Sequence, residues 1–274
     1  MVCSIRDIPV YYEVHGEGKP VLCIHGYGVD HRLMSGCLEP VFGTMQGYRR
    51  IYFDMPGMGK TPPARWIQNG KHMLEVIMEF INEVIPEENF LVLGESYGGY
   101  MTLGLVAEMP ERIGGAVLLC PGLTEEFVNL PPKQILWKSP ELASPEVDPD
   151  IKAFYKFAVI ATPEKFNKYK SDVLSGIKIS DGDFLSNYFD CKCRPDIYAA
   201  LQTAAFDKPS CIITGRQDHG VGYSDAYNIL DRFPRATYAV VDCAGHNLQI
   251  DNEPLFGHLI RDWIWRVELS QTTI

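Results

Sequence analysis

Apolar residues cluster along the chain in short unbroken runs, set apart by longer stretches in which they return at helical spacing. The runs fall at 21–24 (Val-Leu-Cys-Ile), 50–53, 90–93 (Phe-Leu-Val-Leu), 115–120, 210–214 and 237–241. Each is too short for a helix and reads as a strand buried on both faces. Between them, Met73, Ile77, Phe80, Ile81 and Val84 recur at the helical period and stop before Pro86. A helix from Asp30 carries Leu33, Met34 and Leu38 inward. Others are expected at 100–109, closed by Pro110, near 223–233, and at 253–267. At the start, strands at 2–6 and 10–14 form a hairpin at one edge of the sheet, with Asp7 in the turn. Strand and helix alternating in this way predict a mostly parallel sheet with helices on both faces.

From about 123 to 205 the alternation breaks. This stretch carries helical segments (151–160, 163–174 and a returning helix at 194–206) and prolines, but no buried strand pattern. It reads as a helical cap inserted into one core domain made of 1–122 and 206–274. The aromatics Phe154, Tyr155, Phe157, Phe184, Tyr188 and Phe189 are expected to form the core of that cap rather than to touch a substrate.

The chemistry centres on Gly94-Glu95-Ser96-Tyr97-Gly98-Gly99, between the 90–93 strand and the following helix. G-x-S-x-G at a strand-to-helix turn is the pattern of a nucleophile elbow, which holds the serine in a strained conformation with its hydroxyl projecting. Positions two before and two after the serine must be small, because the strand and helix backbones pass close together. The helix N-terminus then turns its free N–H groups toward the reacting centre. A glycine-rich turn with an incidental serine is the alternative.

A serine needs a general base, usually a histidine oriented by a carboxylate, and ligands of such sheets bind beyond the carboxyl ends of the strands. Asp218 follows the 210–214 strand, and His246 follows the 237–241 strand in Ala244-Gly245-His246-Asn247. Asp54 also follows a strand and competes as the acid; Asp242 stands too near His246 along the chain. Glu95 is expected to be a buried, hydrogen-bonded carboxylate. His31 and His219 read as loop-surface residues or pocket residues, with surface preferred.

Four motifs in order resemble the α/β-hydrolase superfamily over nearly the whole chain outside the insertion: His25-Gly26-Tyr27-Gly28, Asp54-Met55-Pro56-Gly57-Met58-Gly59, the elbow, and Gly245-His246. The resemblance implies an α/β-hydrolase fold with Ser96 as nucleophile, Asp218 as acid and His246 as base. It implies backbone N–H groups of Tyr27 and Tyr97 as an oxyanion hole, with His25 packed beneath that loop. It favours Asp218 over Asp54, since the family places its acid after the penultimate strand. The elbow is also similar to that of serine carboxypeptidases, which are secreted and disulfide-bonded. The implied function is hydrolysis of a carboxylic ester, or a related acyl bond, of a small molecule. Carbon–carbon bond hydrolysis, peptidase activity or a binding role on the same scaffold remain open, because one fold hosts many functions.

Charge narrows the partners. With 25 basic and 35 acidic side chains the net charge is −10, so neither nucleic acid nor an anionic membrane is an expected partner. No apolar run approaches bilayer length, and Met1-Val2-Cys3-Ser4-Ile5-Arg6-Asp7 lacks a signal-peptide pattern; a cytoplasmic location is expected. Among the eight cysteines, Cys23, Cys120 and Cys211 lie in apolar runs as small hydrophobes. Cys191-Lys192-Cys193 lacks the second Cys/His pair of a structural zinc site, so no metal is expected, and no cofactor.

Overall fold

Eight strands form one sheet in the order β1-β2-β4-β3-β5-β6-β9-β10. The computed structural model describes residues 1–123, 129–142, 148–190 and 205–272. The hairpin of β1 (Val2–Ile5) and β2 (Ile8–His15) occupies the edge, antiparallel, and β2 pairs antiparallel with β4 (Tyr48–Phe53). From β4 onward every pairing is parallel, through β3 (Lys19–Ile24), β5 (Phe90–Glu95), β6 (Ile113–Leu119), β9 (Ser210–Gly215) and β10 (Ala236–Val241).

The unbroken apolar runs are explained by the two faces of this sheet. Successive side chains of a strand point to opposite faces, and here each face meets its own layer. Leu22, Ile24, Val92, Ala116, Leu118 and Ile212 pack with α2 (Gly70–Val84) and α3 (Tyr97–Glu108). Val21, Cys23, Leu91, Leu93, Val117, Cys211 and Ile213 pack on the other side with α1 (Arg32–Phe42) and the terminal helix Glu253–Thr272. Asn69 caps α2, its side chain accepting the His72 N–H at 3.0 Å. The helix expected near 223–233 is a tighter 3₁₀ segment, Asp225–Arg232.

The segment between β6 and β9 departs from the expectation in detail. α4 (Pro149–Phe157) stops short of Ile160, which instead enters a two-residue strand, β8 (Ile160–Ala161), parallel to β7 (Trp137–Lys138). A ladder this short leaves no periodic signal. α5 (Pro163–Tyr169) runs on through a π-helical turn, Lys170–Leu174, into α6 (Ser175–Ile177); α7 (Gly182–Asp190) follows. The π turn packs on α1, and Lys168, at the end of α5 just before it, donates from Nζ to Gly36 O at 2.9 Å. Phe154 and Tyr155 are buried in the same cluster as the α1 residues. Phe189's side chain, Cys191, Cys193 and most of the helix expected at 194–206 lie outside the described residues. Among the described residues, no helix is long and apolar enough to cross a membrane.

Candidate active site

Ser96 alone makes the turn between β5 and α3, with φ 53° and ψ −112°. A positive φ on a non-glycine residue costs about 1–3 kcal/mol and persists only where the surroundings impose it. Here the Ser96 N–H donates to Leu119 O at 2.9 Å, and the Ser96 carbonyl accepts from Tyr100 and Gly122, each at 3.1 Å. The flanking glycines are sterically required. A Cβ on Gly94 would lie 2.1 Å from Gly98 O, and one on Gly98 would lie 2.2 Å from Ile24 O. Those backbone atoms cannot move aside.

The loops after β9 and β10 bring Asp218 and His246 to this turn. Gly215 lets them touch, since a Cβ there would sit 2.3 Å from Gly245 O. Asp218 is fully buried, its Oδ1 accepting the N–H groups of Gly220 (2.8 Å) and Val221 (3.1 Å). Its Oδ2 lies 2.9 Å from His246 Nδ1, and His246 Nε2 lies 3.0 Å from Ser96 Oγ. A carboxylate can only accept, so Nδ1 carries a proton, and in the neutral imidazole Nε2 offers its lone pair to the serine hydroxyl. Burial alone would raise the Asp218 pKa. The His246 charge and hydrogen bond, with the two N–H donors, outweigh it and hold the carboxyl below its ordinary value. Burial likewise disfavours charge on His246, but the Asp218 charge and hydrogen bond, then Glu95, raise its pKa to about 9.

Asp54 sits elsewhere. It accepts from the His31 N–H (2.9 Å), from His31 Nδ1 (2.7 Å) and from the Lys60 N–H (2.8 Å). The surface reading of His31 is thereby corrected: it is buried, with Asp54 on one ring nitrogen and Glu13 at 3.2 Å from the other. His219 is half-buried and stacks on Phe157, whose ring also approaches that of His246 at 6.0 Å between centroids. Phe157 thus stands beside the site, which helical spacing gave no reason to expect.

His25 is buried, its Nδ1 donating to Gly26 O at 2.7 Å and its Nε2 accepting the Met55 N–H at 3.0 Å. It ties the loop after β3 to the loop after β4. Gly26 rests on the elbow: a Cβ there would be 2.3 Å from Glu95 Oε2 and 3.4 Å from Ser96 Cβ. Tyr27 follows Gly26 on that loop, and Tyr97 opens α3 directly after Ser96. Their rings pack edge to face, and Tyr188 of α7 contacts both. The Tyr27 hydroxyl donates to Leu185 O, and the Tyr97 and Tyr188 hydroxyls share a hydrogen bond.

Glu95 is buried as expected, but among the described residues its carboxyl is not hydrogen-bonded. Its Oε1 lies 3.6 Å from His246 Nε2. Burial pushes its pKa up to about 7, with His246 pulling the other way. Asp251, which the sequence did not single out, is buried and accepts the Gly245 N–H next to His246. Among the described residues, two clusters bring possible metal donors within 4.8 Å of one another, Cys120/Asp218/His246 and Asp30/His31/Asp54. In both, the acids and histidines already bond to one another, to Ser96, to Arg32 or to backbone N–H groups.

A parallel sheet covered by helices on both faces, with a serine at the carboxyl end of a central strand, defines the class: an α/β enzyme of the hydrolase type. Residues 19–253 match the family of the alpha/beta hydrolase fold, and the chain belongs to it. It is 25% identical over 267 residues to a 2-hydroxy-6-oxononadienedioate/2-hydroxy-6-oxononatrienedioate hydrolase of Pseudomonas putida, covering 94% of this chain and 92% of that one. A pimeloyl-[acyl-carrier protein] methyl ester esterase of Legionella pneumophila is 27% identical over 133 residues, 44% of this chain and 50% of that one. Among solved structures, an alpha/beta superfamily hydrolase from Oenococcus oeni PSU-1 superposes with a TM-score of 0.87 at 24% identity, covering 94% of this chain and 96% of that one. The chain is a hydrolase.

Proposed function

We propose that the chain cleaves a carboxylic ester, or a related acyl bond, of a small molecule through Ser96, His246 and Asp218. The observation that carries the reading is the continuous hydrogen-bonded path from Ser96 Oγ through His246 to Asp218, at 3.0 and 2.9 Å. Ser96 Oγ attacks the acyl carbon as its proton passes to His246 Nε2, and Asp218 stabilises the imidazolium. The carbonyl oxygen becomes an oxyanion, bound by the N–H groups of Tyr27 and Tyr97. Collapse expels the alcohol, which takes the proton from His246. Water then attacks the acyl-enzyme, giving its proton to His246, and the acid leaves as the proton returns to Ser96. Net, one ester and one water become one acid and one alcohol.

Residues 123–205 act in this reading as a cap that excludes water. Contacts from that segment to the site loops support it: the Asp181 N–H donates to Gly57 O at 2.9 Å, and Ser180 Oγ to Gly28 O at 3.2 Å. Soluble esters from acetate to about hexanoate are the expected substrates, a size typical of enclosed pockets. A cytosolic location fits a net charge of −10 and unpaired thiols at Cys23, Cys120 and Cys211. A second reading, carbon–carbon bond hydrolysis of a diketone-like substrate, is favoured by the span of the likeness: the Pseudomonas relative matches nearly end to end, the esterase along only 44% of this chain.

The test is a p-nitrophenyl acyl series run beside a diketone panel, with a fluorophosphonate probe reporting on the serine. Labelling confined to Ser96, with short esters turned over above the Ser96→Ala background, is expected. Turnover of diketones alone favours the second reading. Labelling that survives Ser96→Ala rejects the nucleophile.

A further inference from the structure

Glu95 ends β5 directly before the serine, and its carboxyl fills the space beside Gly26. A methyl group at position 26 would lie 2.3 Å from Oε2, so this glycine keeps room for the acid. The other oxygen, Oε1, lies 3.6 Å from His246 Nε2, the nitrogen that faces Ser96 Oγ at 3.0 Å. Asp218 occupies the opposite nitrogen at 2.9 Å. The imidazole stands between two acids, one for each ring nitrogen, and the reaction described above uses only one of them.

Resting on the serine-hydrolase reading, we propose that Glu95 is a second acidic partner of His246, which stabilises the imidazolium formed when Ser96 loses its proton and so sets the pH range in which the serine reacts. The Oγ–H electron pair goes to the new bond at the acyl carbon and the proton to Nε2, leaving one positive charge on the ring. At 3.6 Å Glu95 acts on that charge through space rather than by a hydrogen bond. Buried charges are weakly screened, so the effect is larger than it would be at the surface.

The same field has an opposite side. An anion beside Nε2 also favours the protonated histidine before substrate arrives, and a protonated histidine cannot take the serine proton. Glu95 thus trades reactivity at neutral pH for a better-stabilised transition state. The other titratable groups facing the pair are Asp218, the thiols of Cys120 after β6 and Cys37 on α1, and His219. Burial raises the pKa of both thiols and lowers that of His219, so these three are neutral near pH 7. Asp218 is the standing anion at the ring, and Glu95, with a pKa of about 7, becomes the second as pH rises through neutrality.

The experiment measures the rate at which a fluorophosphonate modifies Ser96, followed by intact mass from pH 5 to 10, in the wild type and in Glu95→Gln and Glu95→Ala. Glutamine keeps the volume and alanine does not, so a change common to both is a charge effect. Both variants are expected to reach their plateau at a pH lower by about one unit, with a plateau rate reduced about tenfold. A folded variant with an unchanged midpoint overturns the proposal, and a plateau rate that falls while the midpoint stays put is what a purely structural role gives. Absence of labelling at Ser96 in the wild type rejects the serine-hydrolase reading itself, and this proposal with it.

Discussion

The carboxylate of Asp251 accepts the N–H of Gly245 at 2.9 Å through Oδ2, while Oδ1 receives the N–H groups of Val159 and Ile160, each at 3.3 Å. One buried acid therefore joins the loop that carries His246 to the start of β8, between β6 and β9. Burial raises its pKa to about 6, against the pull of the three N–H donors.

Asp251→Asn keeps one acceptor oxygen and sets an NH₂ against N–H donors. Leaving such donors unpaired costs about 1–3 kcal/mol of stability. The pH dependence has a definite sign. An acid whose folded pKa is raised binds more protons in the folded state than in the unfolded, so its contribution to stability falls as pH rises through the window from 3.8 to about 6. Urea unfolding at pH 4.5 and pH 7 is expected to find the variant's deficit larger at the lower pH. A deficit that grows with pH contradicts this account.

Asp218→Asn is expected to lower turnover by roughly 10⁴ while preserving the fold, by analogy with the serine-protease aspartate. Asp54→Asn is expected to do the reverse. Its partners are His31 and Lys60 rather than His246, so it should lose about 1–3 kcal/mol of stability and keep most of its turnover. Steady-state kinetics and urea unfolding of both variants decide. A large kinetic loss in Asp54→Asn alone transfers the acid's role to that residue.

Because the base must be neutral to take the serine proton, kcat/KM is expected to rise with pH through about 9. The matching stability effect runs the other way. A histidine whose folded pKa is raised contributes stability that is complete below 6.5 and is lost as pH rises through about 9. A p-nitrophenyl acetate profile from pH 6 to 10, corrected with Ser96→Ala, measures the kinetic limb. A plateau already reached at pH 6.5 would contradict it.

Gly98→Ala places a methyl 2.2 Å from Ile24 O and 2.6 Å from His25 O. It should lose about 1–3 kcal/mol or more together with Ser96 labelling. Gly114→Ala is the control: its nearest neighbours are Leu91 Cδ2 at 3.5 Å and Phe90 O at 3.8 Å, so a change within about 0.5 kcal/mol is expected. Urea midpoints compare the two.

The parts of this structure that the sequence disclosed are those whose physics is local. Gly94 and Gly98 flank Ser96 because two backbones approach each other within five residues, and that requirement is written in the pentapeptide. The buried runs show themselves because both faces of the sheet are covered. Other features depend on partners far along the chain. His31 is polar and lies in a loop, so it reads as surface, yet Asp54, 23 positions away, draws it inside. Asp251 meets Val159 across 92 positions, and Phe157 meets His246 from the inserted segment. Neither contact leaves a pattern in the residues around it. Ile160 matches a helical period but is taken by a two-residue ladder with Trp137.

Tyr27 and Tyr97 carry two duties in one residue each. The Tyr97 main chain adjoins Ser96 and that of Tyr27 follows the Gly26 that rests on the elbow, while their hydroxyls meet α7 through Leu185 O and Tyr188. Anyone who grafts the segment between β6 and β9 of a relative onto this scaffold must therefore carry over these docking contacts as well. A donor segment lacking a carbonyl for Tyr27 or a hydroxyl for Tyr97 would remove one of these contacts. The disturbance would reach the backbone beside the serine, so such a chimaera would lose rate on every substrate, including those its new segment was chosen to admit.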